Sequence, residues 1–395
     1  MLDVLCVIDT RFTGGTPAAM GSDIAVFLEA GLQVGVAGVR SAYLSDMPDG
    51  WSSKVSEVMA DRRLQWVASK EGAPIAAQTV FLHHPMTFFY GLEKPLRLQA
   101  DRVCLVAHHL PFRADGSMQY DPIATSQRIY RKTGARPEWL PVSGVCREQL
   151  DAFRPFIRLS ALDWPNVFDV DAWKPRRDPF SDGSLVIGRH SRPDPLKWPD
   201  RAADVRGSLP NLPGGEIRVM GCPRAEMTKL NVDMTGWKVL EFDEEPVAGF
   251  LDGLDVFAYH YHRAYSECFG RTVAEAMLMK AVCVLDPRLE PTFGNLAVYC
   301  PPEDTAQVIT RLQGDPVAAR ALASRARTEI VRRHGTSSVM PRLEVLRGKT
   351  PQPAAVRPTA ERKIPRHVIA KKLVGMVRRR EYFEWQIAAR AHHGE

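Results

Sequence analysis

The stretch Tyr265-Ser-Glu-Cys-Phe-Gly-Arg-Thr-Val-Ala-Glu-Ala-Met277 decides how the chain is read. Glu267 and Glu275 stand eight positions apart, with Phe269-Gly270 between them. After Gly270 the pattern turns helical, because Val273, Ala276 and Met277 fall on one face. Asp255-Val-Phe-Ala-Tyr259 upstream and Ala281-Val-Cys-Val-Leu285 downstream read as buried strands. Glu267 therefore lies on the loop leaving a strand, and Gly270 where a helix starts. Open α/β sheets bind ligands in such places, outside the carboxyl ends of their strands, with helix N-termini turned toward anionic groups.

The rest of the chain alternates in the same way. Val4–Ile8 reads as a strand, Thr10-Arg-Phe-Thr-Gly14-Gly15-Thr16-Pro17 as a glycine-rich turn, Ala18–Ala30 as a helix and Leu32–Val39 as the next strand. Glycines before a helix let the backbone approach a ligand. Two later strands end in histidine pairs, Gln78–Leu82 in His83-His84 and Arg102–Ala107 in His108-His109. No carboxylate or cysteine adjoins them, so they read as a polar lining rather than a metal site. The segment Pro111–Tyr120 reads as a polar loop, and Lys174–Gly183 as a Pro- and charge-rich linker. After the strand Leu185–Gly188 come Arg189, Arg192 and Lys197 in a proline-stiffened loop, an arrangement suited to a diphosphate. Strands around Glu216–Gly221, Val239–Phe242 and Leu296–Cys300 then alternate with helices at Glu245–Leu254, Thr305–Leu312 and Pro316–Arg333.

Composition narrows the class. A chain of 395 residues exceeds one typical core, so two domains are expected, and 45% hydrophobic with 25% charged residues is ordinary for a globular protein. No apolar run reaches the roughly 18 residues of a membrane span. The N-terminus enters a strand without a basic leader, so no signal peptide is expected. Seven scattered cysteines without a C-x-x-C pair read as reduced thiols in a cytoplasmic protein. Residues 351–395 hold ten of the 52 Lys/Arg and four of the 46 Asp/Glu, so the net charge of +6 falls on this tail and the body is neutral. A neutral body argues against a nucleic-acid surface. Ile369, Leu373, Met376, Phe383 and Ile387 give the tail an amphipathic pattern. Two readings are open: a helix packed on the first domain, or peripheral contact with an anionic membrane at the inner face through 366–390.

Ser266-Glu-Cys-Phe-Gly…Glu275-Ala-Met resembles the E-x7-E signature of the retaining, nucleotide-sugar-dependent glycosyltransferases of GT-B type, family 4. Gly14-Gly15 resembles that family's Gly-Gly loop, and Leu159–Asp169 its interdomain crossing, with Val167 where the family has glycine. The resemblance is strong from Val186 to Pro302 and weak before Trp164. It implies an α/β, GT-B architecture of two Rossmann-like, doubly wound domains facing across a cleft. The expected division is an acceptor-binding domain 1–165, a crossing and linker 166–183, a nucleotide-sugar domain 184–345 and the basic tail 346–395. The implied function is a hexosyltransferase moving a sugar from a UDP- or GDP-sugar to a glycan or lipid-linked acceptor with retention, in polysaccharide or cell-surface glycan synthesis. Glu275 would hold the donor ribose and Glu267 the transferred sugar. Arg189 or Arg192, with Lys197, would hold the diphosphate. Gly14, Gly15, Phe269 and Gly270 would line the donor, and His108 or His109 would contact the donor sugar. No metal and no separate cofactor are expected. The alternatives are a nucleotide-sugar 2-epimerase and a non-catalytic GT-B binding or scaffold protein. The family usually has glycine where this chain has Lys280, which leaves the C-terminal geometry of the E-x7-E helix open.

Overall fold

A computed structural model describes residues 1–68 and 73–348, together with Ala370 and Val374. Apart from those two positions, residues 349–395, including the expected membrane contact over 366–390, lie outside the described residues. The chain forms two compact units.

The first unit is a seven-stranded parallel sheet: β1 (Leu2–Asp9), β2 (Val34–Val39), β3 (Gln65–Trp66), β4 (Ile75–His83), β5 (Leu98–Ala107), β6 (Glu138–Pro141) and β7 (Arg158–Leu159), ordered β3-β2-β1-β4-β5-β6-β7. The strand order reverses between β1 and β4, the position at which doubly wound sheets open a crevice. β1 reads LDVLCVID because a central parallel strand is covered on both faces. Phe27, Phe81 and Trp164 pack against one another in this core, and the Trp164 indole donates to buried Asp23 at 2.8 Å.

The second unit is a six-stranded parallel sheet: β8 (Leu185–His190), β9 (Gly215–Met220), β10 (Trp237–Leu240), β11 (Val256–Tyr259), β12 (Val282–Leu285) and β13 (Val298–Tyr299), ordered β10-β9-β8-β11-β12-β13. Its order reverses between β8 and β11. Alternation sorts the side chains: Phe257, Tyr259, Cys283 and Leu285 enter one core cluster, and Val256, Ala258, Val282 and Val284 the other. Buried Asp255, just before β11, accepts from the backbone N–H groups of Phe180 (2.7 Å) and Val186 (2.8 Å) and pairs with Arg177. The Pro- and charge-rich linker is thereby fastened to this sheet.

Two sequence expectations are corrected. The second domain was expected to reach residue 345, but the Val339–Leu346 helix belongs to the first unit. There Arg347 Nε donates to Thr79 Oγ1 at 3.1 Å and its Nη2 to the Asp3 carbonyl at 2.7 Å. The Pro111–Tyr120 loop, read as polar, is pinned by buried Phe112, Met118 and Tyr120.

Candidate active site

The loops that leave β8 and β11 carry the second unit's polar cluster. Arg189 is wholly buried near the end of β8. Its Nη1 donates to the His260 carbonyl at 2.9 Å and its Nη2 to the Lys197 carbonyl at 2.5 Å. The guanidinium lies over Trp198 at 4.0 Å and over Tyr259 at 4.9 Å. Burial pushes its pKa down to about 10. Arg189 thus ties the two loops together from inside, and the expectation that it contacts a donor phosphate is corrected. Arg192 is exposed on the same loop and its guanidinium has no partner among the described residues.

Lys197 Nζ lies 2.5 Å from Glu267 Oε2, 3.0 Å from the Tyr265 hydroxyl and over the Tyr265 ring at 4.6 Å. The Tyr259 hydroxyl donates to Glu267 Oε2 at 3.0 Å. Burial opposes the charge on Lys197, but the Glu267 carboxylate beside it holds the ammonium well above its usual pKa. Burial lifts the Tyr259 phenol far above its ordinary value, so it is a neutral donor. Glu267 itself is only 8% exposed.

Gly270 caps the Arg271–Leu278 helix at φ +81°, ψ 55°, a left-handed conformation that glycine takes without strain. Glu275 lies on that helix, buried, with Arg271 Nε 2.9 Å from its Oε1. Burial raises the Glu275 pKa to about 7, opposed by Arg271. Phe269 turns its ring inward. Its ring is buried against Phe293, His334 and Phe168, which leaves only its backbone to line a donor.

Sequence reasoning passed over four neighbours: Tyr259, Tyr265, His190 and Thr272. His190 closes β8, its Nδ1 3.0 Å from Thr272 Oγ1 and its ring stacked on half-exposed Phe242 at 5.8 Å. Its buried Nε2 has no partner among the described residues, and burial pushes the imidazole down to about 4. The available signal was its position, the last residue of the strand at the switch point.

In the first unit, Gly14 and Gly15 are exposed at the start of the Gly15–Glu29 helix, with open space where a Cβ would stand. The turn before them is fixed by a buried fork, Arg11 Nε to Asp9 Oδ1 at 2.9 Å and Arg11 Nη2 to Asp9 Oδ2 at 2.8 Å. The histidine pairs meet as expected at neighbouring strand ends, but unequally. His83 and His84 are buried, whereas His108 and His109 are half-exposed. His83 Nδ1 is 3.1 Å from His108 Nε2, and His109 Nε2 is 3.0 Å from Gln119 Oε1. Burial pushes His108 down to about 3 and takes His83 and His84 well below the usual range, so these imidazoles are neutral. Among the described residues no group of three or more His, Cys, Asp or Glu is placed to hold a metal ion, and no helix is long and apolar enough to cross a membrane.

No protein-family model matches the chain, and no curated protein sequence does. Solved structures do resemble it. Anabaena HepE, crystallised with UDP, aligns at a TM-score of 0.62 and 13% identity, covering 88% of this chain and 100% of that one. A glycosyltransferase from Rickettsia africae aligns at 0.61 and 12%, covering 88% and 98%. WaaG, a glycosyltransferase involved in lipopolysaccharide biosynthesis, aligns at 0.54 and 12%, covering 87% and 99%. The latter two are glycosyltransferases, and the two parallel α/β units of this chain have the GT-B fold.

Proposed function

We propose that the chain is a glycosyltransferase that takes a sugar from a nucleotide-sugar donor held on its second unit. The observation that carries the reading is the Lys197–Glu267 pair at the switch point of β8 and β11, 2.5 Å apart and buried among Tyr259 and Tyr265. In this reading Glu275 accepts from the ribose hydroxyls and Glu267 from a hydroxyl of the transferred sugar. The Glu267 oxygen for that task is Oε1, since Oε2 is taken by Lys197 and Tyr259. Arg192 and Lys197 face the diphosphate, and Gly270 opens a helix N-terminus toward it. Fixed positive charge is then present where negative charge grows on the leaving group, which lowers the barrier without reorganisation. No metal is required for that task. The reaction proceeds with retention, as the E-x7-E resemblance implies. The transferred group is a hexose from a UDP- or GDP-sugar, and UDP in the HepE structure supports the former. As the resemblance implies, Gly14 and Gly15 lie beside the donor diphosphate and the acceptor, and His108 or His109 contacts the donor sugar. The acceptor is a glycan or lipid-linked glycan of polysaccharide synthesis.

The test is donor binding and donor turnover, followed with UDP-glucose and GDP-mannose in EDTA. Glu275→Gln weakens binding. Glu267→Gln leaves binding within about threefold and lowers turnover by about 10²-fold, the scale of one lost preorganised contact. Activity that needs added manganese, or equal small effects of both changes, overturns the reading.

A further inference from the structure

The first unit has a second concavity, at the other end of its sheet from Gly14 and the histidines. Parallel sheets are ordinarily covered on both faces. Along β5 the residues Val103–Ala107 are buried, but Leu98–Arg102 alternate between half-buried and exposed. Among the described residues nothing covers that half, and it opens into a cavity of about 840 Å³. Four arginines line it, each from a different element: Arg102 on β5, Arg136 before β6, Arg158 on β7 and Arg347 after the Val339–Leu346 helix. The lining carboxylates are Asp101 and Glu138, and Glu138 is already held by Arg102 at 3.2 Å. An apolar occupant would bury the Arg136 and Arg158 guanidiniums, which no described residue hydrogen-bonds, so it is disfavoured.

Arg347 is already oriented. Its Nε and Nη2 are bonded to Thr79 Oγ1 and the Asp3 carbonyl, which leaves Nη1 for a ligand. Planar forks held in this way suit phosphate oxygens better than flexible ammonium groups do. We infer that this cavity is a binding site for a small diphosphate-bearing anion, separate from the donor site of the second unit. The diphosphate oxygens bridge Arg347 and Arg102 on one side and Arg136 and Arg158 on the other. Binding falls as salt rises, because two of the four arginines are largely exposed.

The experiment titrates inorganic pyrophosphate into the full chain by calorimetry, with hydrogen exchange read over β5 and β6. Three proteins are compared: wild type, Arg136→Glu/Arg158→Glu and Arg192→Ala. Arg136 and Arg158 are exposed and hold no backbone group, so the double variant keeps its melting temperature. If it does not, Arg136→Gln/Arg158→Gln replaces it. The expected result is protection of Leu98–Arg102 in wild type and in Arg192→Ala, and an affinity at least about tenfold weaker in the double variant. UDP protecting the same residues identifies a nucleotide diphosphate as the source, and pyrophosphate alone doing so identifies the free anion. Unchanged affinity in the double variant, no binding to wild type, or binding lost in Arg192→Ala with β5 unprotected each overturns the site. The last result would leave the donor reading standing. An Arg192→Ala protein that binds UDP-glucose as wild type does would count against the donor loop and leave this cavity untouched.

Discussion

Lys197 Nζ and the Tyr259 hydroxyl meet on one oxygen of Glu267, at 2.5 Å and 3.0 Å. Lys197 and Glu267 are nearly buried, so the pair is not a surface ion pair worth a few tenths of a kcal/mol. Removing one partner strands a charge in a poorly hydrated site. Lys197→Met is expected to lower unfolding stability by about 3 kcal/mol, the scale for breaking a buried pair. Adding Glu267→Gln should restore a large part of it, since neither charge is then left alone. Urea melts of the two single variants and the double variant give the coupling. Additive losses would show that the pair is not coupled.

Glu275 carries a pH signature. Burial raises its pKa to about 7 from an ordinary 4.5, so at neutral pH the carboxylate and the acid are comparably populated. Ribose hydroxyls need an acceptor, and the carboxylate is the better one. UDP-glucose affinity is expected to rise with pH through about 7, and Glu275→Gln to flatten the profile. A nucleotide sugar is the right probe because its diphosphate, esterified at both ends, does not titrate there. Stability runs the opposite way. A pKa raised by folding gives stability that is present below the unfolded value and is lost as pH rises through about 7. Glu275→Gln should therefore melt at higher temperature relative to wild type at pH 8 than at pH 5. A pH-independent difference would mean that Glu275 titrates normally.

Lys280 occupies the left-handed position that ends the Arg271–Leu278 helix, at φ +61°. The motif is complete around it: Ala281 N–H bonds the Ala276 carbonyl at 3.0 Å, and Lys280 N–H the Met277 carbonyl at 3.1 Å. A side chain there costs about 1 kcal/mol against glycine. Its Nζ pairs with half-exposed Asp178 at 2.8 Å, which returns only a part of that. Lys280→Gly is expected to raise the melting temperature by about 1–3 °C. A decrease would mean that the Asp178 pair outweighs the backbone strain.

The alternation of apolar strands and helices made the second unit legible, because parallel strands covered on both faces spell continuous apolar runs such as Val256–Tyr259 and Val282–Leu285. The two-residue edge strands β3 and β7 carry no such run and left no signal. The helix end at Lys280 was illegible for a different reason: the backbone takes the left-handed turn without the residue that announces it. At the candidate site, residue types and spacing singled out Glu267, Glu275 and Lys197. Which guanidinium turned inward was invisible, since Arg189 and Arg192 follow the same strand and only packing against Trp198 and Tyr259 separates them. The inward turn of the Phe269 ring was invisible too, since it lies between the two carboxylates in sequence but points into the core.

Arg189 and Arg192 should accordingly fail in different ways. Arg189 is 0% exposed, and its two bonds hold the His260 and Lys197 carbonyls, so its loss leaves two buried acceptors unpaired and a void beside Trp198. Each unpaired group costs about 1–3 kcal/mol. Arg189→Met keeps much of the volume but none of the donors, and is expected to destabilise the protein by about 3 kcal/mol. Donor binding would then weaken only because Lys197 loses its support. Arg189→Lys should not rescue it, because one ammonium cannot reproduce two planar donors stacked between aromatic rings. Arg192 is exposed, with a guanidinium that no described residue engages, so Arg192→Ala should leave the melting temperature within about 1 °C. It should nevertheless weaken UDP-glucose and UDP by a similar factor of about 10, the mark of a contact to the diphosphate rather than to the sugar. Thermal melts and donor titrations on the three variants decide the matter. If Arg192→Ala unfolds the chain while Arg189→Met leaves it intact and unable to bind, the two assignments are reversed.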